Sequence, residues 1–136
     1  CIDTFKQHYP VRQVTEQIEP SLYLDGEALL LQMLVNNLLE NAHKYAPQDT
    51  EIKVVLAANG KQIKLEVMDS GKGIPDSEKS KIFEKFYRIG SEATRNTKGT
   101  GLGLYLCKKI AENHNANISV TDSKPQGSIF VVTFNS

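Results

Sequence analysis

Hydrophobic positions recur at helical spacing in two long segments. The first runs from about Gly26 to Tyr45, where Asp25 is placed to cap the helix and Pro47 enforces its end. The same spacing predicts a second helix over Leu102 to Asn113. A third, short helix is predicted near Ser77 to Ile82. The two longer helices each carry an apolar face, so each needs a neighbouring layer that buries it.

Alternation of apolar and polar residues predicts strands elsewhere. Two runs, Glu51 to Ala57 and Lys61 to Met68, are joined by Asn59-Gly60, the strongest short-range signal for a hairpin. Further strands are predicted at Ala116 to Thr121 and Ser128 to Phe134, joined by a turn at Pro125 to Gly127, and weaker ones at Val11 to Ile18 and Leu22 to Leu24. This order of elements indicates an α+β fold in which helices cover one face of a mixed sheet.

The first long helix carries a polar row beside its apolar face. Asn37, Asn41 and Lys44 stand at i, i+4 and i+7, inside an arc of roughly 60°. Asparagine is a mediocre helix former, so two of them one turn apart suggest a role other than helix stability. Side-chain oxygens suit a hard cation such as Mg²⁺, and the ammonium of Lys44 suits a phosphate oxygen. The alternative is a polar helix edge without a ligand.

Asp69 is an acidic residue at an inward-facing position. It continues the apolar set Leu65 and Val67, so strand geometry turns its carboxylate toward the covered face of the sheet. A buried charge without a partner is costly, and an adenine amino group docked there would supply the donor. Alternatively, Asp69 has left the strand and caps the turn through Ser70 and Gly71.

Two glycine clusters favour the close approach of a ligand. Gly71 and Gly73 let the backbone pass close to a flat ligand, which Ile74 is placed to cover. The second cluster, Gly99 to Leu104, stands where a helix begins, and free amides at a helix N-terminus bind phosphates. It matches neither the dinucleotide-binding fingerprint nor a Walker loop. The polar stretch Gly90 to Gly99 before it has no periodicity and is predicted to be a mobile loop.

Composition limits the classes of function. A chain of 136 residues that is 40% hydrophobic suits one globular domain. Sixteen basic and sixteen acidic residues give a net charge of zero, so neither nucleic acid nor an anionic membrane is expected as a partner. No apolar run approaches the roughly 20 residues of a membrane span. Cys107 lies on the apolar side of a predicted helix and is expected to be a small buried hydrophobe.

Four segments, in this order, resemble a known motif set: Asn37 to Ala46, Asp69 to Gly73, Phe83 to Arg88, and Gly99 to Leu104. The chain resembles the catalytic ATP-binding domain of two-component sensor histidine kinases, whose N box, first glycine box, F box and second glycine box they match. The resemblance covers about Val11 to Phe134. It implies the Bergerat fold, a two-layer α/β sandwich of about five strands and about three helices with a mobile ATP lid. It also implies that residues 1–10 are a linker from a preceding domain, and 11–136 the catalytic domain.

The resemblance implies a role for each matching residue. Asp69 would accept a hydrogen bond from the adenine amino group, and Tyr45 would pack against the purine. Asn41 would ligate Mg²⁺, with Asn37 as a second contact to metal or phosphate. Lys44 and Arg88 would meet the phosphates, although Arg88 could also be a solvated arginine. Further nucleotide contacts are expected from Gly71, Gly73, Ile74, Phe83, Thr100, Gly101, Leu102, Gly103 and Leu104. Phe83 and Phe86 are equally expected to anchor the lid by packing.

Asn37 separates two branches of this superfamily. Gyrase-like and chaperone-like ATPases carry a glutamate four residues before the metal-binding asparagine, where it activates water. Here that position is Asn37, and a carboxamide is a poor base, so transfer of a phosphoryl group is expected over efficient hydrolysis. Glu40 is expected to point away from Asn41, toward solvent.

The phosphoacceptor histidine of such kinases is not expected in this chain. His8 is interpreted as a linker residue, and His43 and His114 as surface residues. The expected function is transfer of the γ-phosphoryl group of Mg²⁺-ATP to a histidine on the dimerisation domain of the same kinase, for relay to a response regulator receiver domain. The alternatives are a serine kinase of the anti-sigma type and a nucleotide-sensing module without transfer activity. The domain is expected to be monomeric, without direct membrane insertion, and cytosolic in a membrane-bound parent.

Overall fold

The computed structural model describes residues 5–7, 9–10, 12–18, 28–47, 50–84, 103–123 and 126–135. Residues 5–7 form a short helical segment at the start of the chain. The longer elements are β1 (Val14–Ile18), α1 (Ala28–Tyr45), β2 (Ile52–Asn59), β3 (Gln62–Asp69), α2 (Gly103–Asn113), β4 (Ala116–Asp122) and β5 (Ser128–Asn135).

The strands form one mixed sheet in the order β1-β2-β3-β5-β4. β1 runs parallel to β2, and the other neighbouring strands are antiparallel. The predicted hairpin is confirmed, with Asn59 opposite Gln62 and Gly60 at a φ of 67°. Asp69 and Asp122 both pair with Ser128, so β3, β5 and β4 come into register at one edge of the fold. That edge is where the first glycine motif follows β3.

The helices pack against the sheet through alternate strand residues. On β3 the buried positions are Leu65, Val67 and Asp69, which are the odd-numbered set that the strand period predicted. The largest fully buried side chains are Phe5, Phe130, Leu34, Leu38, Leu39, Ile52, Val54, Val67, Val132 and Cys107. Burying one such aliphatic side chain contributes about 1.5–3 kcal/mol, so this shared layer fixes both helices on the sheet. The predicted α+β fold is confirmed.

Cys107 lies inside this core on α2. It is fully buried, and its Sγ lies 3.7 Å from the carbonyl oxygen of Leu34 on α1. Burial raises the pKa of the thiol to about 12, so it stays protonated at neutral pH. The prediction of a small buried hydrophobe is confirmed.

The segment before β1 packs on the domain instead of leaving it. Phe5 is 1% exposed and belongs to the main hydrophobic cluster, and Tyr9 packs against the same cluster. Tyr9 also donates a hydrogen bond from its hydroxyl to Glu40 on α1, at 2.9 Å. Residues assigned to a linker on the basis of sequence therefore contact the helix that carries the asparagine row.

One predicted helix is wrong. Residues 76–83 form successive hydrogen-bonded turns, in which the amides of Glu78 and Lys81 donate to residues three positions earlier. The segment is apolar only at its end, where Ile82 and Phe83 enter the core, so it has no continuous apolar face to hold a helix on the sheet.

The candidate strand Leu22 to Leu24 and the proposed cap Asp25 lie outside the described residues. In the part of the chain that is described, no helix is both long and apolar enough to cross a membrane.

Candidate functional site

The polar row stands on α1 at the edge of the core. Asn37, Asn41 and Lys44 are half-buried, while Leu38 and Ala42 beside them are buried completely. Because α1 is a regular helix through this stretch, the three side chains share one face as predicted. The row therefore lies where a ligand can reach it and where its own helix is held firmly on the sheet.

Tyr45 follows the row at the last position of α1. Its side chain is 47% exposed, and the Lys44 ammonium lies 5.3 Å from the centre of its ring. A cation at that distance is attracted by the ring face. An aromatic surface and a positive charge thus stand side by side at the carboxyl end of the helix, and the exposed ring provides a stacking surface for a flat ligand.

Asp69 stays in β3 as an inward-facing residue, so the alternative that it has left the strand is wrong, although it does cap the turn that follows. It is the last residue of β3, pairs with Ser128 and is 5% exposed, and its Oδ1 accepts a hydrogen bond from the Gly71 amide at 2.8 Å. Burial raises the pKa of this carboxyl, while backbone hydrogen bonds from Gly71 and Ser128 and the charge of Arg12 lower it. A buried acceptor is therefore held in place by the turn that it caps.

Gly71 lets this turn pack directly on the end of α1. A Cβ at Gly71 would stand 2.8 Å from the carbonyl oxygen of Tyr45 and 3.1 Å from Oδ1 of Asp69. Any larger residue would push the turn and the helix apart. The first glycine motif and the end of the asparagine row are therefore in contact, as one continuous site requires.

Gly127 is a site residue that sequence reasoning missed. It has a φ of 116°, and a Cβ there would stand 1.9 Å from the carbonyl oxygen of Asp69. Gly73, with a φ of 83°, faces it, since a Cβ on Gly73 would stand 3.2 Å from the Gly127 oxygen. The turn before β5 is therefore packed directly against the turn that follows Asp69. The sequence signal was only that of a turn glycine, because the contact depends on the pairing of β3 with β5.

The start of α2 lies beside the asparagine row. Gly103 is the first residue of α2, and a Cβ placed on it would stand 3.8 Å from Oδ1 of Asn37. Free amides of the first helical turn favour anions, and here they begin next to a carboxamide. Leu104, the next residue, packs against the hydrophobic core. Four predicted site residues lie outside the described residues: Arg88, Thr100, Gly101 and Leu102.

Phe83 differs from its predicted role as a nucleotide contact. It is 6% exposed and lies in the hydrophobic core, edge to face with Phe130 at 6.2 Å between ring centres. The alternative that it anchors the neighbouring segment by packing is the one the structure supports. Ile74 is half-buried and also packs against the core. Phe86 lies outside the described residues.

The outer side of α1 is also different from its prediction. Glu40, expected to point to solvent, accepts the hydroxyl hydrogen bond of Tyr9. His43, expected on the surface, is half-buried with its ring 3.8 Å from that of Tyr9 between centres. Burial, followed by the charge of Arg12, lowers the pKa of His43. Both corrections arise from the segment before β1, whose docking no local pattern predicts.

Arg12 is the second residue that sequence reasoning missed. It is 4% exposed and caps the carboxyl end of α1. Its Nη2 donates to the carbonyl oxygens of His43 and Ala46 at 3.1 and 3.0 Å, and its Nη1 to those of Pro47 and Thr50 at 2.6 and 2.9 Å. Its Nε donates to Nδ1 of His43 at 3.0 Å. The weak strand pattern around Arg12 does not predict these contacts, because the partners lie more than thirty residues away in the sequence.

The oxygen donors at this site are carboxamides. Within the described ranges no group of three or more His, Cys, Asp or Glu side chains gathers to hold a metal ion. Asn37 and Asn41 lie one turn apart on α1, so their side chains share one face of the helix. Two neutral oxygen donors suit a hard cation that also keeps waters and phosphate oxygens as ligands, which is the coordination that Mg²⁺ prefers.

A family model matches residues 26–136 of this chain: histidine kinase-, DNA gyrase B-, and HSP90-like ATPase. The chain belongs to this ATPase family. The match contains the asparagine row, both glycine motifs and the aromatic segment. The resemblance drawn from those motifs is thereby confirmed, and the chain is an ATP-binding domain of the kind found in sensor histidine kinases.

Similar proteins of known identity are sensor kinases. Sensor protein CiaH of Streptococcus pneumoniae is 42% identical to this ATPase domain over 106 residues, which make up 78% of this chain and 24% of CiaH. Sensor histidine kinase RcsC of Escherichia coli is 38% identical over 118 residues, 85% of this chain and 12% of RcsC. The chain thus spans about a quarter of the first relative and less of the second.

Solved structures show the same fold. The mycobacterial sensor histidine kinase MprB matches this ATPase domain with a TM-score of 0.85 at 24% identity, covering 98% of this chain and 88% of that one. The catalytic domain of histidine kinase ThkA matches with a TM-score of 0.82 at 25% identity, covering 98% and 86%. The sheet order and the helical layer described above are therefore those of histidine kinase catalytic domains.

Proposed function

We propose that this domain binds Mg²⁺-ATP and transfers the γ-phosphoryl group to a histidine on a separate dimerisation domain of the same sensor kinase. One observation carries the proposal: three motif segments meet around α1. Gly71 abuts the carbonyl oxygen of Tyr45, and Gly103 lies beside the carboxamide of Asn37. Groups suited to the adenine base, the Mg²⁺ ion and the phosphates of ATP are thus found along one stretch of α1.

The adenine end of the site would lie at Asp69 and Tyr45. A buried carboxyl oxygen is a strong acceptor for the exocyclic amine of adenine, and its burial favours ligands that bring a donor. The exposed ring of Tyr45 offers an apolar surface to the purine. Gly71 keeps a side chain out of the space between Asp69 and the end of α1, and Ile74 would cover the base.

The phosphate end would lie further along α1, toward α2. Asn41 and Asn37 would hold Mg²⁺ through their carboxamide oxygens, and Lys44 would neutralise phosphate oxygens. Bound Mg²⁺ would bridge phosphate oxygens and offset the charge that develops on them during transfer. Gly103 opens α2, whose first amides would donate to the triphosphate. Arg88 and the segment Thr100 to Leu102 belong to the same proposal.

Asn37 favours transfer over hydrolysis. A base that activates water must accept a proton, and a carboxamide oxygen is far too weak a base to do so at neutral pH. Glu40, the nearest carboxylate along the helix, is occupied by the hydroxyl of Tyr9. Catalysis by this chain would therefore consist of positioning ATP and stabilising charge.

The phosphoacceptor would be supplied by another domain. Nδ1 of His43 accepts from Arg12, and the ring is packed against Tyr9. Nδ1 of His114 lies 2.7 Å from the carbonyl oxygen of Ile110. These contacts hold the His43 ring against the segment before β1 and the His114 ring against the end of α2. The partners would be the dimerisation domain of the same kinase and a response regulator receiver domain, in the cytosol, and the isolated domain would be monomeric.

The chemical stability of the phosphorylated product tests this function. The chain is mixed with a separately produced dimerisation hairpin of its own parent kinase and with γ-labelled ATP. We expect label on the hairpin that is lost in acid and kept in alkali, as a phosphorus–nitrogen bond requires. Label kept in acid and lost in alkali would instead indicate a serine kinase. Nucleotide binding without any label would indicate a sensing module.

A further inference from the structure

The carboxyl end of α1 is closed by a residue that comes before the first strand. The last carbonyl groups of a helix have no partner within the helix. Here the guanidinium of Arg12 binds the carbonyl oxygen of His43 in the last turn of α1, and also those of Ala46, Pro47 and Thr50 just beyond the helix. Arg12 is 4% exposed, so these charge-assisted bonds are shielded from water. A positive charge at this position also complements the helix dipole.

Arg12 is itself held by aromatic packing. Its Nε donates to Nδ1 of His43, whose ring lies 3.8 Å from that of Tyr9 and 5.9 Å from that of Phe5 between centres. Tyr9 is tied to Glu40 on the same helix. The guanidinium therefore has one orientation, and its planar fork fits several carbonyl oxygens at once, which the single ammonium of a lysine cannot do.

The helix end that Arg12 closes is the end that carries the candidate site. Asn41, Lys44 and Tyr45 lie within its last five residues, and the carbonyl oxygen of Tyr45 abuts the Gly71 turn. Fraying of this turn of helix would move Lys44 and Tyr45 relative to Asp69. The charge of Arg12 also acts on Asp69 directly, since it lowers the pKa of a carboxyl that burial raises.

We propose that Arg12 is a positioning residue for the nucleotide site, which fixes the end of α1 and so sets the placement of Lys44 and Tyr45 against the Asp69 turn. This inference rests on the proposed nucleotide binding. It assigns a role in ligand affinity to the segment before β1, which lies outside the matched family region of 26–136. Arg12 would not touch the nucleotide.

The test compares Arg12→Met with a core truncation that is remote from the site. Val132→Ala is suitable, because Val132 is fully buried on β5 and lies four residues, about 13 Å, from the partner of Asp69. Affinity for Mg²⁺-ADP is measured by calorimetry at a temperature where circular dichroism shows both variants fully folded. We expect Arg12→Met to bind about tenfold more weakly than the unchanged chain, which is the effect of losing about one hydrogen bond to the ligand. Val132→Ala should stay within about twofold.

Two results would overturn the inference: affinity of Arg12→Met within twofold of the unchanged chain, or an equal loss in Val132→Ala. Arg12→Lys keeps the positive charge but lacks the planar guanidinium. Its affinity for Mg²⁺-ADP is measured in the same way, and it replaces Arg12→Met if that variant does not fold. Its expected loss is about three- to tenfold, and affinity within twofold of the unchanged chain would contradict the role. Failure of the unchanged chain to bind Mg²⁺-ADP would instead contradict the proposed function, so the two failures are distinguishable.

Discussion

The buried carboxyl group of Asp69 is hydrogen-bonded by backbone amides. Its Oδ1 accepts from the amide of Gly71, and a backbone hydrogen bond from Ser128 also favours its ionised form. Burial opposes ionisation, so the backbone donors and the charge of Arg12 help to preserve the acceptor. A desolvated acceptor of this kind discriminates strongly between ligands that bring a donor and ligands that do not.

Asp69→Asn should weaken adenine nucleotides more than guanine nucleotides. The carboxylate would accept from the exocyclic amine of adenine, and loss of a charge-assisted bond of about 1.5–3 kcal/mol corresponds to roughly 10- to 100-fold in affinity. Guanine presents a carbonyl at that position and has no such bond to lose. Asp122→Asn is the control, since Asp122 also pairs with Ser128 but is exposed. Competitive titration with ADP and GDP measures both losses, and equal losses would remove Asp69 from base recognition.

Asn41→Ala should reduce the part of the nucleotide affinity that depends on Mg²⁺. The carboxamide oxygen of Asn41 would be a ligand of the cation, and alanine supplies no oxygen. Asn36→Ala is a matched control, because Asn36 lies on the same helix and is exposed. Titration of ADP with Mg²⁺ and with a chelator gives the difference for each variant. A Mg²⁺-dependent gain that is unchanged in Asn41→Ala would show that Asn41 is not a ligand of the cation.

At the scale of helices and strands, the predictions succeeded where the pattern was local. Both long helices and the four strands of the two hairpins were placed within two residues of their observed ends. In each of them the hydrophobic pattern repeats over many positions, which makes the element recognisable from the sequence. The helix predicted at Ser77 to Ile82 was wrong, since packing of Ile82 and Phe83 decides that segment. Gly127 was missed for a related reason: its contact with Asp69 follows from strand pairing.

Gly127→Ala should destabilise the domain far more than Gly60→Ala. Both glycines have a positive φ, which costs other residues about 1–2 kcal/mol. A Cβ at Gly60 meets nothing within 4 Å, whereas one at Gly127 would stand 1.9 Å from the Asp69 carbonyl oxygen. Displacing packed backbone adds typically about 1–3 kcal/mol. Urea unfolding of the two variants gives the difference, and equal midpoints would contradict the close packing of the two turns.

For the molecule as a whole, the docking of the segment before β1 is the feature that the sequence did not predict. Composition and motif order predicted one α+β domain with an ATP site, since those properties are spread along the chain. They could not predict that Phe5, Tyr9 and Arg12 dock on α1, because these residues meet partners about thirty or more positions away and show no periodicity. The proposed linker over residues 1–10 stays a prediction, and the packing of Phe5 provides its test.

Phe5→Ala should therefore destabilise the catalytic domain. Phe5 is 1% exposed within the main hydrophobic cluster, and truncating a buried phenylalanine costs about 3–5 kcal/mol because a cavity remains. Gln7→Ala, two residues away and exposed, should stay within about 0.5 kcal/mol of the unchanged chain. Thermal and urea unfolding of the 136-residue chain measure both variants. If residues 1–10 act only as a linker, the two substitutions will be equally neutral. A large loss for Phe5→Ala alone would place the start of the folding unit before β1, because the core of the domain would then depend on this segment.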